Sequence, residues 1–98
     1  MQVRIIKSYR DVVAVCDTEL LGKKFEEEKL QLDVKENFFR GRELSEENTL
    51  EIMKDMAKED ATFNIIGKKS VNTALKAGII SEEGIGNIEG VPFALVLL

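Results

Sequence analysis

Two runs of β-branched and apolar residues at the start of the chain predict a hairpin. The first run spans Val3–Tyr9 and the second spans Val12–Cys16, with Arg10 and Asp11 between them as a tight turn. The second run is apolar at every position, which is typical of a strand that is covered on both faces. We therefore expect Val12–Cys16 near the centre of a sheet.

The middle of the chain alternates between charged and half-apolar segments. Asp17–Lys29 is charged and irregular, so we predict no regular element there. In the next segment Leu30, Leu32 and Val34 alternate with polar residues, which is the pattern of a half-buried strand.

An amphipathic helix is predicted over Glu46–Glu59. Ser45 is a good N-cap, and the two glutamates that follow it suit the positive end of the helix dipole. Apolar side chains recur on one face at Leu50, Met53 and Ala57.

The last third of the chain predicts a strand, a helix and a second strand. Thr62–Ile66 is β-prone, Ser70–Ala77 is a short helix, and Val91–Leu98 is extended. Pro92 lacks an N–H, so we place it on an edge strand or at a bulge. Residues 1–98 are therefore expected to form one α+β domain, with two helices and a mixed or antiparallel β-sheet.

Charge is unevenly distributed along the chain. The net charge is −4, and residues 1–44 hold nine basic and nine acidic residues, whereas residues 45–98 hold five and nine. An acidic protein is repelled on average by phosphate backbones, so binding to a nucleic acid requires a local basic patch. The Glu- and Lys-rich composition is also compatible with a thermophile.

Composition excludes several kinds of chemistry. Histidine is absent and Cys16 is the single cysteine, which rules out an intrachain disulfide, a Cys/His zinc site and a His-based triad. We expect Cys16 to be a buried, reduced thiol. We also expect no bound cofactor, and the sequence favours a protein that is not an enzyme. No apolar run is long enough to span a bilayer, so a soluble, cytoplasmic protein is expected.

The turn after the predicted strand Thr62–Ile66 invites comparison with a phosphate-binding loop. A P-loop has a glycine five residues before its Gly-Lys pair and Ser or Thr directly after the Lys, but this chain has Thr62 and Lys69 there. A simpler site remains open, in which helix N–H groups and two lysines hold one phosphate or carboxylate. In the alternative, Gly67 makes the turn, Ser70 caps the helix and the lysines are solvated.

A second candidate is the segment Phe38–Arg42, which combines two aromatic rings with two guanidinium groups. This combination suits base stacking and phosphate contact, although the phenylalanines can equally belong to the core. Six cations would form an RNA patch if the fold brought them together. The candidate residues for binding an anion or a nucleic acid are Lys23, Lys24, Phe38, Phe39, Arg40, Arg42, Asn64, Gly67, Lys68, Lys69 and Ser70.

Motifs along nearly the whole chain resemble the archaeal domain of unknown function 424 family. The matching residues are Leu21-Gly22-Lys23, Phe25-Glu26, Leu30-x-Leu32-Asp33-Val34, Phe38-Phe39-x-Gly41, Asn64-x-x-Gly67, Val71, Ala74, Gly78 and Gly90-Val91-Pro92. The resemblance implies an archaeal source and a cytoplasmic α+β domain, and it supplies no established activity. Many members have His directly after the Gly-Val-Pro and Gln two residues further on, where this chain has Phe93 and Leu95.

Three hypotheses about function follow. The first is a non-enzymatic binding module that acts on RNA or a ribonucleoprotein. The second is a protein-interaction module, which would use the acidic second half, the outer face of the helix Glu46–Glu59 or the strand that contains Pro92. The third is a small-anion site at Gly67–Ser70.

Overall fold

A β-sheet with helices on one face forms the centre of the molecule, as seen in a computed structural model that describes residues 1–97. In chain order the strands are β1 (Gln2–Ile6), β2 (Val12–Cys16), β3 (Lys24–Glu27), β4 (Leu30–Asp33), β5 (Arg42–Glu43), β6 (Thr62–Ile66), β7 (Gly86–Ile88) and β8 (Val91–Val96). The helices are α1 (Glu36–Phe39), α2 (Glu46–Lys58) and α3 (Lys68–Ala77), with single 3₁₀ turns at Thr18–Leu20 and Glu82–Gly84.

Six of these strands form one mixed sheet, in the order β5-β1-β2-β6-β8-β7. The neighbours β2 and β6 run parallel, and every other pair in the sheet runs antiparallel. The remaining two strands, β3 and β4, form a separate antiparallel hairpin. The predicted α+β fold class is thus confirmed, with α1 as a single helical turn in addition to the two predicted helices.

The first face of the sheet is covered by α2 and α3. Val13 and Val15 from β2 and Phe63 and Ile65 from β6 point into this layer, where they pack against Met53 and other apolar residues of the helices. All five side chains are at most 1% exposed. Burying large apolar side chains in this way is the main source of stability for a domain of this size.

The second face of the sheet is covered over only part of its area. Ala14, Cys16 and Ile66 face a smaller cluster, which Val34 and Phe39 complete from outside the sheet. The β3–β4 hairpin and α1 supply this cover, and they leave the rest of the second face open.

The central strand and the amphipathic helix are confirmed. Residues of β2 have β1 on one side and β6 on the other, and Val13–Cys16 are fully buried. The helix α2 begins after Ser45, whose side chain accepts a hydrogen bond from the N–H of Asn48 at 3.1 Å. The predicted hairpin is also present, but its turn is five residues long because Ile6 pairs with Val12.

Three local predictions are wrong. Residues 24–27 form β3 despite their charge, because they pair with β4 and their hairpin is tied to the main sheet: the backbone N–H of Glu26 donates to the side chain of Glu89 at 2.6 Å. The helix α3 begins at Lys68, two residues earlier than predicted, with Gly67 as its N-cap. Pro92 lies neither on an edge nor at a bulge, since β8 lies between β6 and β7 there and residues 91–93 pair one to one with residues 88–86.

Two further predictions concern the ends of elements and the thiol. The strand predicted over Val91–Leu98 ends at Val96, Leu97 follows it outside the strand, and Leu98 lies outside the described residues. Cys16 is completely buried and reduced, as predicted. Burial, together with the negative charge of Asp17 beside it, raises the pKa of the Cys16 thiol from its ordinary value of 9.0 to about 12.

Candidate nucleic-acid interface

An open groove lies on the second face of the sheet, beside the hairpin and α1. Its volume is about 470 Å³, which is within the range of small-molecule sites. The residues that line it come from β4, the segment after it, α1 and β6: Leu32, Asp33, Lys35, Asn37, Phe38, Phe39, Ile66 and Asn64.

Asn64 is the polar residue that β6 contributes to the groove. It pairs with Ala14 on one side and with Leu95 on the other, and it is only partly buried. Within residues 1–97, its side-chain amide has no hydrogen-bond partner. A half-buried amide with an unused donor and an unused acceptor can therefore bind a polar ligand that enters the groove.

Phe38 and Phe39 have different environments although they are adjacent. Their rings meet edge to face, with centroids 5.1 Å apart and an interplanar angle of 76°. Phe39 is 4% exposed and belongs to the core, whereas Phe38 is only half-buried and lines the groove with it. The buried ring thus supports a ring that a ligand can reach.

The groove is close to electrically neutral. Asp33 and Lys35 are its two charged lining residues. The guanidinium of Arg4, which lies on the second face of the sheet, donates a hydrogen bond to the backbone carbonyl of Asn37. Among the lining residues, Lys35 is thus the cation and Asp33 the carboxylate that opposes it, while the guanidinium of Arg4 is anchored at the Asn37 carbonyl.

The six cations that the sequence singled out do not line this groove. Lys23 and Lys24 belong to the hairpin region, and Arg40 forms an ion pair with Glu36. Arg42 in β5 lines a separate depression together with apolar residues such as Ile52. The condition on which the predicted RNA patch depended, six cations converging at one site, is not met at the groove.

The lysines at the start of α3 line a depression of their own. Lys68 and Lys69 flank it together with Asp17 and Glu19. It has a volume of about 230 Å³. Its two cations thus face two carboxylates of the same chain.

The donors at the start of α3 are already used within the molecule. The carboxylate of Asp17 accepts hydrogen bonds from the N–H of Lys69 at 3.1 Å, from the N–H of Ser70 at 2.8 Å and from the Ser70 hydroxyl at 2.8 Å. Asp17 thus takes the place that a phosphate or carboxylate ligand would need at Gly67–Ser70. Ser70 does not cap the helix, because it lies inside α3 and donates to Asp17 instead.

Sequence reasoning missed several residues of the groove and of the helix start. Asp33, Lys35 and Asn37 line the groove, and Asp17 binds the first turn of α3. The signal that could have found Asp17 is its position directly after a wholly apolar strand, where a buried carboxylate needs donors. No comparable local signal marks the other three.

The described part of the chain contains neither a candidate metal-binding cluster nor a helix that could span a membrane. Within residues 1–97, no three Asp, Glu or Cys side chains come together in a way that could hold a metal ion. None of the helices described is both long enough and apolar enough to cross a lipid bilayer.

The fold and the groove define a small α+β protein with an open ligand-sized groove on one face of a mixed sheet. The chain belongs to the family described as protein of unknown function (DUF424), whose model matches residues 6–98. The resemblance seen in its motifs is thereby confirmed. Phe93 and Leu95, the two positions at which the sequence differs from many members of the family, pair with Ile66 and Asn64. Both therefore lie on the same face of the sheet as the groove.

A solved structure with the same fold comes from an archaeon. The chain is similar to an uncharacterised conserved protein from Methanopyrus kandleri, with a TM-score of 0.86 and 23% sequence identity. The match covers 97% of this chain and 88% of that one. A comparison with curated proteins found no match.

Proposed function

We propose that the protein is a non-enzymatic binding module that holds an unpaired base of single-stranded RNA in the groove. The observation that carries this proposal is the pairing of a reachable aromatic ring, Phe38, with an amide that has no partner, Asn64, on the same groove. Proteins recognise unpaired RNA bases by stacking them on aromatic rings and by hydrogen bonding to their edges.

The chemistry of the groove suits a base better than it suits a phosphate. A base is uncharged, has a flat π-face and carries adjacent donors and acceptors along its edge. The groove offers an apolar wall of Leu32, Phe38 and Ile66, one amide and almost no net charge. The backbone phosphates would then remain near the rim, where Lys35 is the nearest exposed cation.

This arrangement predicts weak dependence of RNA binding on salt. For single strands the logarithm of the binding constant falls with the logarithm of salt concentration, with a slope of about −0.7 per phosphate contacted. Contacts from Lys35 and Arg4 give a slope between about −0.7 and −1.4. A patch of six cations would instead give a slope of about −4.

The test is fluorescence anisotropy of a labelled single-stranded RNA titrated with the protein at several salt concentrations. Phe38→Ala and Asn64→Ala are expected to weaken binding, by about 5- to 150-fold for Phe38→Ala because one stacked base contributes about 1–3 kcal/mol. The matched controls are Tyr9→Ala and Asn72→Ala, which remove an exposed aromatic ring and an exposed amide outside the groove. Absence of binding at low salt, or equal losses in controls and groove variants, would contradict the proposal.

A further inference from the structure

The outer edge of β8 is only partly covered. Its neighbour β7 pairs with it from Val91, opposite Ile88, to Phe93, opposite Gly86. No strand within residues 1–97 pairs with the outer side of β8 beyond Phe93. The last three residues of β8, Ala94–Val96, therefore pair with β6 on one side and with no described strand on the other; this stretch is the open edge of β8, where Leu95 is 56% exposed and Ala94 is 2% exposed.

The hydrogen-bonding groups of Leu95 point out from this open edge. The carbonyl of Pro92 accepts a hydrogen bond from the N–H of Gly67, which follows β6, so the backbone polar groups of Pro92 face the β6 side. These groups alternate in direction along an antiparallel strand. Those of Ala94 and Val96 consequently face β6, and the N–H and C=O of Leu95 face outward.

This edge lacks the usual protection against pairing with another chain. Proteins commonly guard exposed edges with lysines, prolines, bulges or covering segments. The segment from Val91 to Leu97 carries no charged residue, and the side chains of Leu95 and Leu97 are 56% and 73% exposed. By contrast, the uncovered half of β1, on the opposite side of the sheet, carries Arg4 and is followed by Lys7.

We propose that the open edge of β8 pairs antiparallel with the same edge of a second copy of this chain, across a two-fold axis at Leu95. In a two-fold contact, the same segment of both copies meets, so a charged side chain lies close to the same charge on the other copy. Because like charges that face each other are destabilising, such a contact requires a segment without them. The end of β8 meets this requirement, and the β1 edge, with Arg4 and Lys7, does not. In the pair, the outward N–H and C=O of each Leu95 bond to the other copy, and the leucine side chains cover one another.

The pairing has a geometric consequence for the groove. A two-fold axis that relates two neighbouring antiparallel strands runs perpendicular to the sheet, so the second faces of both copies lie on the same side. Leu95 is the pairing neighbour of Asn64, and the two grooves would open on one continuous surface. The dimer itself does not depend on what the groove binds.

The test is the mass of the intact protein in solution, measured by sedimentation equilibrium over a wide range of concentration. The expected mass approaches twice the monomer mass of 11.0 kDa as concentration rises. Leu95→Lys places like charges opposite one another and is expected to raise the dimer dissociation constant about tenfold or more. The matched control is Leu30→Lys, because Leu30 is 58% exposed but lies in the separate hairpin.

A second variant tests dimer formation independently, in case Leu95→Lys disturbs folding. Leu95→Pro removes the outward N–H and leaves the bonds between β8 and β6 in place, so it should give a folded monomer. Circular dichroism melting verifies that each variant is folded. A wild-type protein that stays at the monomer mass throughout, or a dimer that neither Leu95 variant weakens, overturns the proposal.

Discussion

The carboxylate of Asp17 and the hydroxyl of Ser70 are joined by a buried hydrogen bond of 2.8 Å, although the two residues are 53 positions apart. The same carboxylate accepts the N–H of Ser70 and the N–H of Lys69. One side chain at the end of the central strand therefore binds the first turn of α3. Its negative charge also lies at the end of the helix where the macrodipole favours an anion.

We predict that Asp17→Ala lowers the free energy of unfolding by about 2–3 kcal/mol, because it leaves buried donors of α3 without an acceptor. The measurement is urea unfolding followed by circular dichroism. Glu19→Ala is the matched control, since Glu19 is an exposed carboxylate beside the same depression and should change stability by less than about 0.5 kcal/mol. Equal effects of the two substitutions would show that Asp17 is not a specific acceptor.

Small anions are expected to stabilise the Asp17→Ala variant and not the wild-type protein. In the wild type the donors of Lys69 and Ser70 are occupied by Asp17, so formate or phosphate finds no free donors there. The variant exposes these donors, and an anion that binds only the folded state raises the melting temperature. Thermal melts in formate and in chloride at equal ionic strength measure the difference. A wild-type protein stabilised by phosphate would restore the small-anion hypothesis.

Gly67→Ala should strongly lower the stability of the folded protein, although it adds only one methyl group. The backbone of Gly67 has φ +114°, which L-residues rarely adopt, and an added Cβ would collide with the carboxylate of Asp17. We expect a loss of about 2–3 kcal/mol. Gly84→Ala is the control, because φ is not positive there and no heavy atom lies within 4 Å of the added Cβ. Urea unfolding of both variants gives the comparison.

The fold was predictable where a local pattern determines it. The apolar run of β2 and the helical spacing that begins at Ser45 each lie within one segment, so the centre of the sheet and α2 follow from the sequence. The strand β3 does not follow, because its charged residues give no strand pattern of their own, and the bonds that tie it to Glu89 join positions 63 and 62 apart in the chain. The pairing with β4 is local, so only the contacts with Glu89 lie beyond what a short sequence window contains.

The candidate site was predictable only in part, for the same physical reason. Phe38 and Asn64 were both singled out by residue type and motif, and they line one groove. Asp33, Lys35 and Asn37 join them through tertiary packing. The expected cation cluster depended wholly on such packing, and the fold brings other residues to the groove.

The thiol of Cys16 should make stability fall at high pH. Its pKa is raised to about 12 in the folded state, above the ordinary value of 9.0. Below pH 9 both states keep the proton, and this contribution to stability is fully present. Between pH 9 and 12 the unfolded chain releases a proton that the folded chain retains, so the free energy of unfolding falls by about 1.4 kcal/mol per pH unit. Urea unfolding of wild type and Cys16→Ala across this range should show the extra slope only in the wild type.

Chemical labelling provides an independent check on Cys16. The thiolate is the reactive form of cysteine, and the side chain is completely buried in the folded protein. A maleimide or disulfide reagent at neutral pH should therefore label the thiol in urea and leave it unmodified in buffer. Rapid labelling of the folded protein would contradict both the burial and the raised pKa.

The alanine substitutions of the adjacent Phe38 and Phe39 should differ in their effects on stability and on RNA binding. Phe39→Ala removes a ring from the core and is expected to cost about 3–5 kcal/mol in the free energy of unfolding. Phe38→Ala removes a half-buried ring and should cost clearly less, while it abolishes the stacking surface of the groove. Unfolding and RNA anisotropy measured on both variants separate the two roles, at a temperature where Phe39→Ala is still folded. Because Phe39→Ala retains the Phe38 ring in the groove, we expect it to bind RNA more tightly than Phe38→Ala does. It should do so although it is the less stable of the two variants. The reverse order of affinities would mean that Phe38 serves the core and that the groove is not a base-binding site.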